Sequence, residues 1–237
     1  MKSSKKDSYF EKLESRMVKY RDLLSIAVKD NHEYFVYLDS KTIPNKYAKG
    51  MDDVKKIFGP RILVRKSVYV RIKNAQNNLK KINKNYSLLV TYGYRSLERQ
   101  TDRFLWQLGE KSNMFFEDPV ELYEAVHRNV AVPAVAGHPT GGAIDIVIID
   151  LSTNDVLDFG SSQYDYSTKN TYVFTNQISE KQKANRMLLR KILLEVGFAP
   201  FDGEWWHFSY GDKEWAFYYK RQNAIYGQIS SDKVKIK

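Results

Sequence analysis

The stretch VAGHPTGGAIDIVIID, residues 135–150, decides how this chain is read. Ala143 to Ile149 is apolar at every position but one and is bounded by the Gly141-Gly142 turn, the pattern of a strand buried on both faces. The exception is Asp145, near its centre. An ionised carboxylate there is costly unless it is paired or coordinates a metal. Side chains two apart on a strand share a face, so Ala143, Asp145 and Val147 point one way. His138 stands just before the turn. A chain reversal through Pro139-Thr140-Gly141-Gly142 can bring its imidazole back beside Asp145, and the small Ala143 leaves room for an ion.

Outward from this strand, helical and strand-like patterns alternate. Phe10, Leu13, Met17, Tyr20 and Leu24 form one apolar stripe at helical spacing, predicting an amphipathic N-terminal helix over the first part of the chain. Strand-like stretches follow at 34–39 and 61–66, then a helix over 67–83 carrying Val68, Ile72, Ala75, Leu79 and Ile82 in register. YSLLVTYGYRS, 86–96, reads as a strand that ends at Gly93 and delivers Tyr94 and Arg95 into a loop. The spacing of Leu97, Leu105 and Leu108 predicts a helix over 97–109. Asp118-Pro119-Val120-Glu121 is a helix start. Ser179 and Gln182 form a capping box for a helix that closes at Gly197. Several connections are too short to hold a crossover helix. The expected fold is therefore α+β: a mixed, largely antiparallel central sheet flanked by helices in a single domain. Residues 1–32 are expected to be a helical extension and 33–237 the functional domain.

Bulk properties narrow the function. A chain of 237 residues, 43% hydrophobic, can bury a sizeable core. The absence of cysteine excludes disulfides, thiolate metal sites and cysteine nucleophiles, so any metal must use nitrogen and oxygen donors. The net charge of +10 is spread over the surface with no recognition-helix or stacking pattern, which speaks against nucleic acid as a partner. No stretch is long and apolar enough for a transmembrane segment, and the charged start lacks an apolar signal core. A cytoplasmic location is expected, with a periplasmic or exported one if the start is processed.

The chain has four histidines. His32 and His127 have no acidic or glycine-rich company. His207 lies in EWWH, three residues after Glu204. Two imidazoles, one carboxylate and an open position make a catalytic zinc site, with a nearby unliganded glutamate as general base. On one regular strand Glu204 and His207 would face opposite ways. Glu204 is therefore expected on the turn at Asp202-Gly203 and His207 on the strand proper. Simpler readings compete: Asp145 paired with Arg95 or Arg190, His207 as a hydrogen-bonded core residue, and Trp205-Trp206 as core rather than a substrate platform.

Taken together, HPTGGAID and the distant EWWH resemble the VanX-type zinc D,D-peptidases of the M15 family. That family carries Ser-x-His-x-x-Gly-x-Ala-x-Asp and a later Glu-x-x-His. His138, Gly141, Ala143 and Asp145 match the first motif, and Glu204 and His207 the second. YGYRS resembles the family's arginine loop, and 185–219 has its helix–Gly–Phe–turn–Glu-Trp-Trp-His arrangement. The resemblance implies that His138, Asp145 and His207 bind one Zn2+ per chain, that Glu204 is the base, and that Arg95 stabilises the oxyanion. It departs at Ala136, where the family has serine. FGSSQYDYS, 159–167, resembles the loop that places an aspartate for the substrate's free amine, which implies Asp165, with Asp158 competing.

The activity so implied is hydrolysis of D-Ala-D-Ala or a close D,D-dipeptide, a small-molecule substrate drawn from peptidoglycan precursors or fragments. A D,D- or L,D-carboxypeptidase trimming muropeptides shares the metal chemistry. A zinc-retaining cell-wall-binding protein is the alternative of another class, and the presence of Glu204 and Arg95 speaks against it.

Overall fold

The computed structural model describes residues 5–49, 51–114, 116 and 118–237, so residues 1–4 of the expected N-terminal extension lie outside them. In chain order the elements that matter are α1 (Lys5–Glu14), α2 (Tyr20–Leu24), β1 (Ala27–Val28), β2 (Phe35–Tyr37), α3 (Asp52–Phe58), β3 (Leu63–Arg65), α4 (Lys66–Ile82), β4 (Tyr86–Tyr92), α5 (Leu97–Lys111), α6 (Pro119–His127), β5 (Ala143–Asp150), β6 (Asp155–Val156), α7 (Glu180–Leu194), β7 (Ala199–Pro200), β8 (His207–Ser209), α8 (Lys213–Tyr218) and β9 (Asn223–Ala224).

The central sheet runs β4-β5-β8-β7 with β6 on β5, and every pairing in it is antiparallel. β2 and β3 pair separately and antiparallel, while the short β1–β9 pair is parallel. The mixed, largely antiparallel α+β architecture expected from the chain is the one observed. β5 is the middle of it, and Ala143 to Ile149 are all buried. Ile144, Ile146 and Ile148 share one core with Val68, Ile72, Ala75 and Leu79 of α4 and Leu189, Ile192 and Leu193 of α7. Truncating any of these isoleucines to alanine removes buried methyl groups and leaves a cavity, at about 2–5 kcal/mol.

Three details depart from the sequence pattern. The N-terminal stripe is two helices rather than one. The backbone turns after Glu14, and α2 restarts because Glu124 of α6 accepts hydrogen bonds from the amides of Tyr20 and Arg21 at 2.8 and 3.0 Å. A carboxylate at a helix N-terminus satisfies donors that the helix itself cannot. On α5 the buried residues are Gln100 and Phe104, while Leu105 is exposed. Phe104 packs with Leu23, Val126, Val132 and Val135 in a second core, and that contact sets the rotation of the helix. Ile82, at the last turn of α4, is also exposed.

The N-terminal helices lie against the body of the protein. Glu14 pairs with Lys169 at 2.7 Å and accepts from Tyr172, and the Tyr9 hydroxyl donates to the Phe174 carbonyl. Among the described residues no helix is long and apolar enough to cross a membrane.

Candidate active site

Sheet register assembles the site. Asp145 on β5 is directly opposite Tyr92 on β4 and opposite His207 on β8, so three neighbouring strands each place one side chain in a row. β4 has an irregularity between Val90 and Tyr92 that sets Tyr92 against Asp145; such bulges re-aim side chains. His138 opens a single 3-10 turn that ends on Gly141 at φ +73, where a Cβ would run into the Phe35 ring. The reversal expected at Gly141-Gly142 thus occurs, and it brings His138 back beside Asp145.

The ligand atoms of His138, Asp145 and His207 all lie within 4.8 Å of one another. His138 Nε2 is 3.5 Å and His207 Nδ1 3.0 Å from the same oxygen, Oδ1 of Asp145. Oδ2 accepts from the Tyr164 hydroxyl at 2.8 Å. His138 Nδ1 faces the Gly93 carbonyl at 2.8 Å, a contact that requires the Nδ1–H tautomer and leaves Nε2 with a free lone pair at the centre. His207 turns its Nε2 towards Glu214, 3.8 Å away. Burial opposes ionisation of Asp145, but the two imidazoles outweigh it and hold the carboxyl below the usual range. Burial keeps His138 down at about 4. For His207 burial works the same way, yet the bond to Asp145 and the charges of Asp145, Glu214 and Glu204 carry it up to about 9. Two imidazoles converging on one buried carboxylate, without a cysteine, are a nitrogen–oxygen donor set that fits a small divalent cation such as zinc.

Glu204 sits on the turn before β8, where its amide donates to Phe201 and its carbonyl accepts from His207. The turn solves the spacing problem: the Glu204 carboxyl lines the same small cavity as His138, Asp145 and His207. Burial pushes it up to about 7, reinforced by Asp145 and opposed by His207, by the Tyr166 hydroxyl and by Arg95. Tyr166 donates to Glu204 at 2.7 Å.

Arg95 follows β4 into the cavity and is buried. It does not pair directly with Asp145. Its Nε donates to the Tyr92 hydroxyl at 3.0 Å and its Nη1 to Gln100 at 2.8 Å. Gln100 in turn donates to the Ala131 carbonyl. Arg190 pairs with Asp202 at 2.6 Å, away from Asp145. Trp205 and Trp206 are core: Trp206 is fully buried and Trp205 stacks on Phe159 at 4.2 Å.

Asp165 is not brought into this group. It is exposed, and its carboxylate accepts from the amide and hydroxyl of Ser167. Its neighbours Tyr164 and Tyr166 both reach the site, and that alternation turns the residue between them outward. Asp158 accepts from Gly160 and Gln182 and so ties the loop to the start of α7. Tyr164, Tyr166, Gln100, Arg103 and Glu214 are pocket residues that sequence reasoning passed over. The Tyr-x-Tyr alternation around Asp165 was the available pointer for two of them. A second, wider cleft of about 770 Å³ shares Tyr166, Phe201 and the 127–129 segment with the cavity.

The chain is similar to known dipeptidases. The D-alanyl-D-alanine dipeptidase of Synechocystis sp. is 27% identical over 196 residues, covering 70% of this chain and 79% of that protein. The D-alanyl-D-alanine dipeptidase of Enterococcus faecalis is 28% identical over 157 residues, covering 65% and 75%. The family model described as D-Ala-D-Ala dipeptidase matches residues 31–227. With the donor triad in place and the family's sequence pattern running through it, the chain belongs to peptidase family M15, the D-Ala-D-Ala dipeptidases, and is a zinc metallopeptidase of that type.

Proposed function

We propose that this site hydrolyses D-Ala-D-Ala, or a close D,D-dipeptide, to free amino acids, with His138, Asp145 and His207 as the zinc ligands. The observation that carries the reading is the convergence of three donors and the Glu204 carboxyl on one small cavity. When bound, zinc acidifies a water and polarises the scissile carbonyl.

This chain's residues then divide the work. Glu204 takes the proton of the attacking water and passes it to the leaving amine as the C–N bond breaks. A carboxyl lifted to about 7 by burial can do both near neutral pH. Tyr166 orients it through the hydroxyl hydrogen bond. Arg95, held by Tyr92 and Gln100, offers a fixed cation to the carbonyl oxygen as negative charge develops. Asp165 is the proposed reader of the substrate's free amine, a role that requires its side chain to turn from Ser167 towards the pocket.

The experiment is amino-acid release from D-Ala-D-Ala, its N-acetyl derivative and a muropeptide ending in D-Ala-D-Ala, each with zinc, with a chelator and with Glu204→Gln. Chelator-sensitive cleavage confined to the free dipeptide is expected. Cleavage of the longer substrates would move the activity to a carboxypeptidase and remove the role of Asp165. Cleavage of none by the zinc-loaded protein would sink the reading.

A further inference from the structure

Of the charged side chains of the cavity that have no part in the catalytic reading, one is without a partner among the described residues. Arg103 projects from α5, three residues after Gln100 and so on the same face of the helix. The other charged groups that line the cavity have company. Arg95 is held by Tyr92 and Gln100, Asp145 by two imidazoles and Tyr164, Glu204 by Tyr166. Arg128 faces Glu14 at 3.7 Å and Glu214 faces His207. Arg103 makes no hydrogen bond or ion pair with any described residue. Burial and the nearby Arg95 both work against its charge. A partly buried guanidinium beside a second cation, with no carboxylate partner among the described residues, is costly unless a ligand supplies the anion.

A D,D-dipeptide carries one anion, its C-terminal carboxylate. Arg95 cannot serve it freely, because Nε and Nη1 are already committed. Arg103 has its whole planar fork available, the geometry that takes a carboxylate through two parallel hydrogen bonds. At Ala136, where a serine hydroxyl stands in the family pattern, this chain offers only a methyl group to the same cavity. We propose that Arg103 receives the C-terminal carboxylate of the substrate and supplies the polar contact that Ala136 lacks. This rests on the dipeptidase reading above. The carboxylate does not change charge in the reaction, so Arg103 holds ground state and transition state alike and acts on KM rather than kcat.

The test compares D-Ala-D-Ala with its C-terminal amide in the zinc-loaded wild type, Arg103→Gln and Arg103→Lys, after zinc content and unfolding midpoint have been matched. The wild type should prefer the acid by about tenfold or more. Arg103→Gln should raise KM for the acid about tenfold, leave kcat within about threefold, and reduce the acid-over-amide preference to near parity. Arg103→Lys should fall between. Calorimetric binding of D-Ala-D-Ala to zinc-loaded Glu204→Gln, with and without Arg103→Gln, reads the same contact without turnover. An unchanged KM and an intact preference in Arg103→Gln, while the wild type cleaves the dipeptide, would overturn the proposal and spare the dipeptidase reading. If the wild type cleaves neither compound and Glu204→Gln binds neither, the reading fails and the proposal falls with it.

Discussion

The Tyr164 hydroxyl donates to Oδ2 of Asp145 at 2.8 Å, on the opposite oxygen from the one that both imidazoles face. The carboxylate is thereby oriented before a cation arrives. Loss of a partner that orients a metal ligand typically costs 10- to 100-fold in metal affinity or activity. Tyr164→Phe should weaken zinc binding by at least about tenfold in a chelator-competition titration, with the fold retained. Unchanged affinity would show that the strand alone orients Asp145.

Glu204→Gln removes the proposed proton acceptor and keeps the shape. Activity should fall by about 100- to 10,000-fold with zinc content unchanged. Tyr166→Phe tests the same group more gently. The Tyr166 hydroxyl lowers the Glu204 pKa, so its loss raises that pKa and moves the acid limb of kcat/KM to higher pH. A limb that stayed in place or moved to lower pH would show that Glu204 is not the titrating base.

The proposed ligation by His138, Asp145 and His207 exists only in the folded chain, so zinc bound that way must stabilise the fold. At a free concentration about one hundred times its Kd the gain is about 2.7 kcal/mol. The unfolding midpoint should rise with added zinc and fall again with chelator. His207→Ala, which removes one of the three donors, should flatten that response. A midpoint indifferent to zinc would argue that the triad does not bind it.

His127 lies outside the triad and gives a pH test of stability. It is buried, and its Nδ1 accepts the Val132 amide at 3.2 Å, which protonation would forbid. Burial lowers its pKa from 6.5 to about 4. Between those values the unfolded chain binds a proton that the folded one refuses, so stability present above the unfolded pKa is lost as pH falls. The loss should reach about 3 kcal/mol, and His127→Gln should remove that part of the slope in urea titrations at stepped pH. A variant with the wild-type slope would place the acid sensitivity elsewhere.

Much of the architecture was legible locally. Ala143–Ile149 carries the pattern of a central strand, the helix over 66–82 its own periodicity, and the helix over 180–194 both its periodicity and its Ser179–Gln182 capping box. The meeting of His138, Asp145, Glu204 and His207 in one cavity was legible too, from a lone carboxylate in an apolar strand taken together with the HPTGGAID and EWWH patterns. Even the placement of Glu204 on a turn followed from its odd spacing to His207. The N-terminal stripe misled, because helical spacing persists across a break that Glu124 imposes from more than a hundred residues away.

The sequence by itself thus determined the strand that carries Asp145, the glycine turn that returns His138 to it, and the donor types available for a metal. Those depend on short-range periodicity and on chemistry intrinsic to each residue. Only the tertiary structure decided that Tyr92, Asp145 and His207 stand in one row, that Tyr164 and Tyr166 point inward while Asp165 faces solvent, and that Arg103 reaches the cavity without a partner among the described residues. Strand register and helix rotation are set by packing between distant segments, and no local pattern encodes them.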